Sequence, residues 1–208
     1  MVVSSRSKSS VRHGGVASNT AEIIEQAALL AFYERGYHGA SVRDIAASAG
    51  IGLATLFHHF PNKAAVLERI MHRAIDQIQE ELTEALDGVF EPRDRLVVAV
   101  RVTVLAHCRR QIQSFVAQSE LRSLEPATRE AVRRKRARVQ SIFVSAISDG
   151  VAAAQFRCTH PREAAQAIVG MGTLVATWYQ ADGELTADAV AAIYVDLATR
   201  MLSSTSGT

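Results

Sequence analysis

Residues 41–63 carry side-chain types, at a spacing, that suit recognition of a DNA groove. Ser41 can cap a helix that begins there, and Asp44 stands at the capping-box position three residues on. Gly50 can end that helix in the left-handed region, and a second helix follows over residues 53–60. Two short helices joined by a tight turn form a helix-turn-helix, whose second helix can enter the major groove.

The second helix of this motif has one face that is predicted to pack against the first helix and other faces that are left exposed. Leu56 and Phe60, four residues apart, are predicted to pack against the first helix. The other faces carry Thr55, Phe57, His58 and His59. Pro61 ends the helix. An ordinary pair of packed helices would show the same pattern, so the flanking segments decide between the two interpretations.

The segment before the motif is predicted to be an amphipathic helix over residues 20–37, with Gly36 as its C-cap. With this helix in place, the run ERGY…SVRDIA…AG…TLFHHFPNK makes residues 20–74 resemble the DNA-binding domain of the tetracycline-repressor (TetR) family. The fold class that the resemblance implies is all-α, with an N-terminal three-helix DNA-binding domain and a C-terminal helical ligand-binding and dimerisation domain.

The resemblance also implies the domain boundaries and the DNA contacts. The DNA-binding domain is expected over residues 19–78, with the motif at about 41–60, and the second domain over residues 79–208. Thr55 and Lys63 are expected to hold phosphates. The full set of predicted DNA-binding residues is Arg43, Leu53, Thr55, Phe57, His58, His59 and Lys63.

Two of these residues depart from the family pattern. Family members often carry a tyrosine where Phe57 stands, so a hydroxyl bond to a phosphate is lost here. A polar or basic residue is common at the position of Leu53, whose side chain can instead touch a thymine methyl group. These departures affect single contacts and leave the predicted fold unchanged.

Composition agrees with a small regulator. The 208 residues are 48% hydrophobic and 21% charged, which predicts a globular protein, and the two cysteines, Cys108 and Cys158, lack metal-ligand spacing. Free thiols favour a reducing cytoplasm. Residues 1–18 are rich in serine, glycine and basic side chains and are predicted to be a disordered basic arm, which either tracks a minor groove or only aids solubility.

Positive charge is concentrated in the part of the chain that carries the motif. Residues 1–63 contain six Lys/Arg against four acids, with four histidines in addition. Residues 64–208 contain seventeen charges of each sign. This distribution supports phosphate binding at the N-terminal end. The eighteen uncharged residues 164–181 are predicted to be a buried helix, since two glutamines and two glycines interrupt the apolar run and charged residues flank it, so no membrane partner is expected.

The remainder of the chain is predicted to be helical, and about nine helices are expected in all. The six later helices are predicted at about 63–87, 92–110, 111–121, 126–154, 161–181 and 186–202. The last two carry adjacent apolar stripes, which favours a homodimer. The predicted interface residues are Gly172, Trp178, Tyr194 and Leu197.

The same domain is expected to bind a hydrophobic effector. The residues predicted to line its pocket are Leu105, Phe115, Phe143, Met171 and Trp178, although core packing explains each of them as well. The end of the chain, GMGTLVATWYQADGELTADAVAAIYVDL, loosely resembles a branch of the family whose members often sense acyl-CoA thioesters. An acyl-CoA-type ligand is therefore one candidate.

No pattern in the sequence predicts catalysis, a metal site or a cofactor. The Glu-x-x-His spacing of di-metal bundles is absent, and the single Glu68–His72 pair suits a surface contact. His107 and Cys108 are adjacent on a helix, so their side chains diverge and do not form a nucleophile–base pair.

A basic run is the other conspicuous feature of the second domain. It consists of Arg133, Arg134, Lys135, Arg136 and Arg138. Its interpretations are a solvated helix face, an anionic ligand site or a protein contact. Taken together, the sequence predicts a dimeric, ligand-responsive repressor on palindromic double-stranded DNA, and the alternative is an effector-independent DNA-binding or nucleoid-type protein.

Overall fold

The computed structural model describes residues 14–203, and side chains from residue 19 onward. Over that range the predicted all-α fold is confirmed with nine α-helices. They are α1 Gly14–Gly39, α2 Val42–Ser48, α3 Leu53–His59, α4 Lys63–Ala85, α5 Pro92–Arg109, α6 Gln111–Ser119, α7 Pro126–Ala152, α8 Pro161–Leu174 and α9 Ala187–Ser203. Short 3-10 turns follow α6, at Glu120–Ser123, and α8, at Val175–Thr177.

The predicted helix starts are explained by caps and prolines. The Ser41 hydroxyl accepts a hydrogen bond from the Asp44 amide at 3.1 Å, and Asn62 accepts one from the Ala65 amide at 2.8 Å. Gly50 has a φ of 66°, as its role at the end of α2 requires. Helices α5, α7 and α8 each have a proline in their first turn, where a missing amide hydrogen costs nothing.

Two predicted boundaries need correction. Helix α1 begins at Gly14, inside the predicted disordered arm, and the part of that arm before residue 14 lies outside the described residues. Helix α8 ends at Leu174 and not near residue 181. The Thr177 hydroxyl donates to the Leu174 carbonyl at 2.7 Å, and side-chain bonds of this kind compete with a regular helix.

The N-terminal helices share one core that α4 completes. Ile24 of α1, Ile45 of α2 and Leu56 of α3 are fully buried, together with Val66 near the start of α4. The buried Glu25 carboxylate of α1 binds two arginines of α4, each at 3.1 Å. Because these partners, Arg69 and Arg73, compensate the buried charge, α1 and α4 are fixed to each other.

The C-terminal helices surround α5, which packs against α4, α7, α8 and α9. Helix α4 is shared by both parts of the chain, and polar contacts fix its second half to the C-terminal helices. The Lys135 ammonium of α7 binds Asp76 of α4 at 2.7 Å. Glu81 of α4 binds Arg109 at 2.9 Å and Arg110 at 2.6 Å. Helix α4 therefore connects the N-terminal helices to the C-terminal ones.

Among the helices of residues 14–203, none is both long enough and apolar enough to cross a membrane.

Candidate nucleic-acid interface and effector cavity

Helix α3 buries one of its faces in the core and exposes the other to solvent. Its Leu56 is fully buried against α2, and Phe60, just after the helix, is also buried. The side chains of Leu53, Thr55, Phe57 and His58 are exposed, and that of His59 is half-buried. We call the exposed residues Leu53, Thr55, Phe57 and His58 the α3 face.

The α3 face combines groups that suit a DNA groove. Phe57, which is 47% exposed, offers a ring, and Thr55 and His58 offer hydrogen-bonding groups. The Leu53 side chain lies at the first turn of the helix, where apolar contact with a thymine methyl is available. Arg43 is exposed in the first turn of α2, so its guanidinium is free to reach a phosphate.

Lys63 has an intramolecular role that the sequence did not indicate. Its ammonium donates to the backbone carbonyls of Tyr37 at 2.6 Å and Ala40 at 2.7 Å, and it lies 4.3 Å from the centre of the Tyr37 ring. The side chain thus fixes the start of α4 to the corner between α1 and α2. Its phosphate contact stays a prediction, with one ammonium hydrogen left over for it.

Helices α8 and α9 share an apolar surface that is open to solvent. Trp178 and Tyr194 stack with their ring centroids 6.4 Å apart and their planes at 21°. Trp178 and Leu197 are each 46% exposed. Trp178 lies just after the 3-10 turn that follows α8, and the other large apolar side chains exposed here are Leu174 at the end of α8 and Ile193 and Met201 of α9. We call these six residues the α8/α9 face.

Gly172 does not belong to the α8/α9 face. It is buried, and a Cβ atom added to it would lie 3.5 Å from Thr103 and 3.6 Å from Val104 of α5. The small residue therefore permits close approach of α5 within the same chain. This burial within the chain argues against the prediction that Gly172 lies at a dimer interface.

A cavity of about 440 Å³ lies among α4, α5, α6, α7 and α8. One wall is apolar and includes Ile75 and Ile78 of α4, Val139 of α7, and Val169 and Leu174 of α8. The rest of the lining is mainly polar and includes Thr103, His107, Arg110, Ser114 and Arg136. We call this space the effector cavity, after the small-molecule effector that the sequence predicts, and its volume falls within the range of about 300–1,000 Å³ of small-molecule sites.

Two guanidinium groups give the polar lining a positive charge. Arg110 is paired with Glu81, but its Nη2 atom is buried without a hydrogen-bond partner. Arg136 donates to the Ala117 carbonyl at 2.6 Å and binds no carboxylate in the part of the chain that the structure describes. Burial lowers the pKa of Arg136, although an arginine remains charged at neutral pH.

His107 is the titratable group that this environment perturbs most strongly. Its Nδ1 atom lies 2.8 Å from the Ser114 hydroxyl. Burial lowers the pKa of His107 to about 4, and the positive charges of Arg110 and Arg136 add to the effect. The imidazole is therefore neutral at pH 7.

None of the five residues predicted to line a pocket lines the effector cavity. Phe143 is fully buried in the core, and Phe115 packs edge-on against Tyr33 with ring centroids 5.2 Å apart. Trp178 lies on the α8/α9 face, and Leu105 and Met171 are partly buried against the core. Large apolar side chains fill space, whereas the open space here is bordered by smaller and polar ones.

The basic run divides between several environments. Arg133 and Arg138 are exposed, and Arg134 lies 3.9 Å from Glu130 on the helix surface. Lys135 binds Asp76, and Arg136 lines the cavity. The sequence carried a signal for Arg136, because Val132, Arg136, Val139 and Phe143 fall on one helical stripe.

Comparison with known proteins gives matches to both parts of the chain. The family model described as bacterial regulatory proteins, tetR family, matches residues 23–70, and the model described as tetracyclin repressor-like, C-terminal domain, matches residues 90–202. The HTH-type transcriptional repressor KstR2 of Mycolicibacterium smegmatis is 28% identical over 181 residues, which are 86% of this chain and 88% of that protein.

Two solved structures are similar over most of their length. A bacterial regulatory protein in the tetR family from Rhodococcus RHA1 has a TM-score of 0.84 and 28% identity, covering 89% of this chain and 98% of that one. AibR in complex with isovaleryl coenzyme A and operator DNA has a TM-score of 0.77 and 25% identity, covering 88% of this chain and 97% of that one.

Proposed function

The chain belongs to the TetR family of bacterial regulatory proteins, and from this premise we propose that it is a dimeric transcriptional repressor. Family membership makes it a DNA-binding regulator and not an enzyme. The proposal adds that two copies bind a palindromic operator and that a small molecule releases them. The observation that carries it is the α3 face, which is exposed at the second helix of the helix-turn-helix.

Readout of DNA by the α3 face follows from its chemistry. Thr55 holds a phosphate, His58 reaches a base edge or a phosphate, and Leu53 touches a thymine methyl. Phe57 contributes apolar contact only, because it lacks a hydroxyl. Arg43 and Lys63 add positive charge beside the helix.

The α8/α9 face supports the dimer. Its apolar side chains are large and adjacent, and exposed patches of this kind mark protein–protein contacts. A second copy related by a two-fold axis would cover them. The same axis would place two α3 helices in successive major grooves, roughly 34 Å apart on the DNA.

Helix α4 is the element through which an effector can act. Its first half is packed into the N-terminal core at Val66 and held by Glu25, while Ile75 and Ile78 line the effector cavity. A ligand that displaces these side chains favours another position of α4 and hence of α3. A hundredfold change in operator affinity needs only about 2.7 kcal/mol of coupling.

The comparison with AibR supports a small-molecule effector. That protein's structure contains isovaleryl coenzyme A and operator DNA together. An acyl-CoA thioester is accordingly one candidate for the hydrophobic effector of this chain.

Thr55→Asp tests the proposal, with Ser145→Asp as the matched control. Both changes replace an exposed hydroxyl by a carboxylate, but Ser145 lies on α7, away from the α3 face. We expect Thr55→Asp to abolish binding to the DNA upstream of the gene because of repulsion from phosphates, with the melting temperature unchanged. Ser145→Asp should bind like the wild type. Equal binding by both variants would contradict readout through the α3 face.

A further inference from the structure

We propose that the effector cavity takes an amphipathic carboxylic acid, whose carboxylate binds Arg110 and Arg136 while its hydrocarbon lies on the apolar wall. This inference rests on the proposed function and deepens it, since it names the chemical class of the effector. It concerns the inside of the cavity and is independent of the exposed arginines of the basic run.

Uncompensated positive charge is the first observation that supports an anionic group. The lining contains Arg110 and Arg136 but no aspartate or glutamate in the part of the chain described. The nearest carboxylate, Glu81, is shared between Arg109 and Arg110. Arg136, which is partly buried, has no carboxylate partner among the described residues, and an anionic ligand would supply one.

Buried donors without partners are the second, independent observation. Thr103 is only 3% exposed, lines the cavity, and has a hydroxyl with no hydrogen-bond partner. Arg110 also lines the cavity, and its Nη2 atom is likewise buried without a hydrogen-bond partner. Buried polar atoms are rarely left unsatisfied in a folded protein. A carboxylate has two oxygens that accept hydrogen bonds from such donors.

The neutral state of His107 is consistent with an anion bound by arginine. Burial lowers the pKa of His107 and leaves its imidazole neutral at pH 7, so His107 is not the main charge in the cavity. The two guanidinium groups carry the main charge in the cavity, and arginine binds a carboxylate through two parallel hydrogen bonds.

The rest of the lining sets the other half of the ligand. Ile75, Ile78, Val139 and Val169 form a wall without charge, on which an alkyl chain or a ring system would be shielded from water. One compact anionic end and one apolar body match this division. An entirely apolar ligand would leave the Nη2 atom of Arg110 and the Thr103 hydroxyl without hydrogen-bond partners.

Isothermal titration of the full chain with three compounds tests the inference. Decanoate carries both required features, 1-decanol has the same chain without the charge, and decanoyl-CoA carries the acyl group as a thioester. We expect decanoate to bind at least tenfold more tightly than 1-decanol, because charge-assisted hydrogen bonds to buried donors are the strong ones. Tighter binding of decanoyl-CoA would instead assign the cavity to thioesters.

Two variants on α7 locate the anionic site. Arg136→Gln removes the cavity charge that has no carboxylate partner, and Arg133→Gln is the matched control because Arg133 is exposed on the same helix. Arg136→Gln should weaken decanoate binding about tenfold or more and leave 1-decanol binding unchanged, whereas Arg133→Gln should change neither. The melting temperature of each ligand-free variant checks that it is folded.

Besides tighter binding of decanoyl-CoA, three outcomes would overturn the inference. They are equal binding of decanoate and 1-decanol, full decanoate affinity in Arg136→Gln, and no binding of decanoate to the wild type. Operator binding of the same preparations separates the two proposals. A chain that binds DNA but not decanoate overturns this inference alone, and one that binds no DNA overturns the proposed function.

Discussion

His107 shows how burial and charge control a single side chain in the effector cavity. Its pKa is lowered to about 4 by burial and by the nearby arginines, whereas in the unfolded chain it would be about 6.5. Between these values the unfolded state binds more protons than the folded state. The contribution of neutral His107 to stability is therefore complete above about pH 6.5 and is lost as the pH falls toward 4.

Replacement by glutamine should remove this pH dependence. His107→Gln keeps a polar group near Ser114 but cannot titrate. Between pH 7 and pH 5 the wild type should lose about 2 kcal/mol more of its free energy of unfolding than the variant. Urea denaturation at both pH values measures the difference. The same pH dependence in both proteins would contradict the assignment of a depressed pKa to His107.

Lys63 and the residues of α3 show what sequence predicts at the residue scale. The exposed positions of α3 could be predicted from helical periodicity. Leu56 faces the core and is fully buried, whereas Thr55 and Phe57 beside it face other directions and are exposed. The backbone partners of Lys63 could not be predicted, because they are carbonyls 26 and 23 residues earlier in the chain. Contacts of that kind exist only after α1 and α4 have packed.

At the scale of elements, caps and prolines determined most helix boundaries in advance. Ser41, Asn62 and Gly50 act on residues close to them in the chain, so their roles can be predicted from the sequence. The end of α8 could not be predicted, because an uncharged run continues past Leu174. Burial of Gly172 against α5 was also missed, since a small residue permits close approach on either side of a dimer boundary.

The α8/α9 face yields the prediction at this scale. Leu197→Asp should convert a dimer into a monomer or unfold it, because a second copy would bury an unpaired charge. Leu30→Asp is the matched control, as Leu30 is 48% exposed, similar to Leu197, but lies on α1. Sedimentation at micromolar concentration reports the oligomeric state. A wild-type monomer, or dissociation by both changes alike, would contradict the proposed interface.

At the scale of the whole molecule, α4 joins the effector cavity to the DNA-binding helices. The five side chains predicted to line a pocket do not line this cavity, because large apolar residues at inward positions fill the core. The cavity depends on how five helices are arranged, and its key residues, Thr103, Arg110 and Arg136, come from separate segments. Periodicity within one helix contains no information about that arrangement.

Selection of binding sites from random duplex DNA by the full chain tests the central claim most directly. A dimer that reads DNA through two α3 helices should enrich a palindrome whose half-sites are centred about one helical turn apart. Leu197→Asp should lose this enrichment. Enrichment of an asymmetric sequence, or binding without any sequence preference, would contradict the account and favour a nucleoid-type protein.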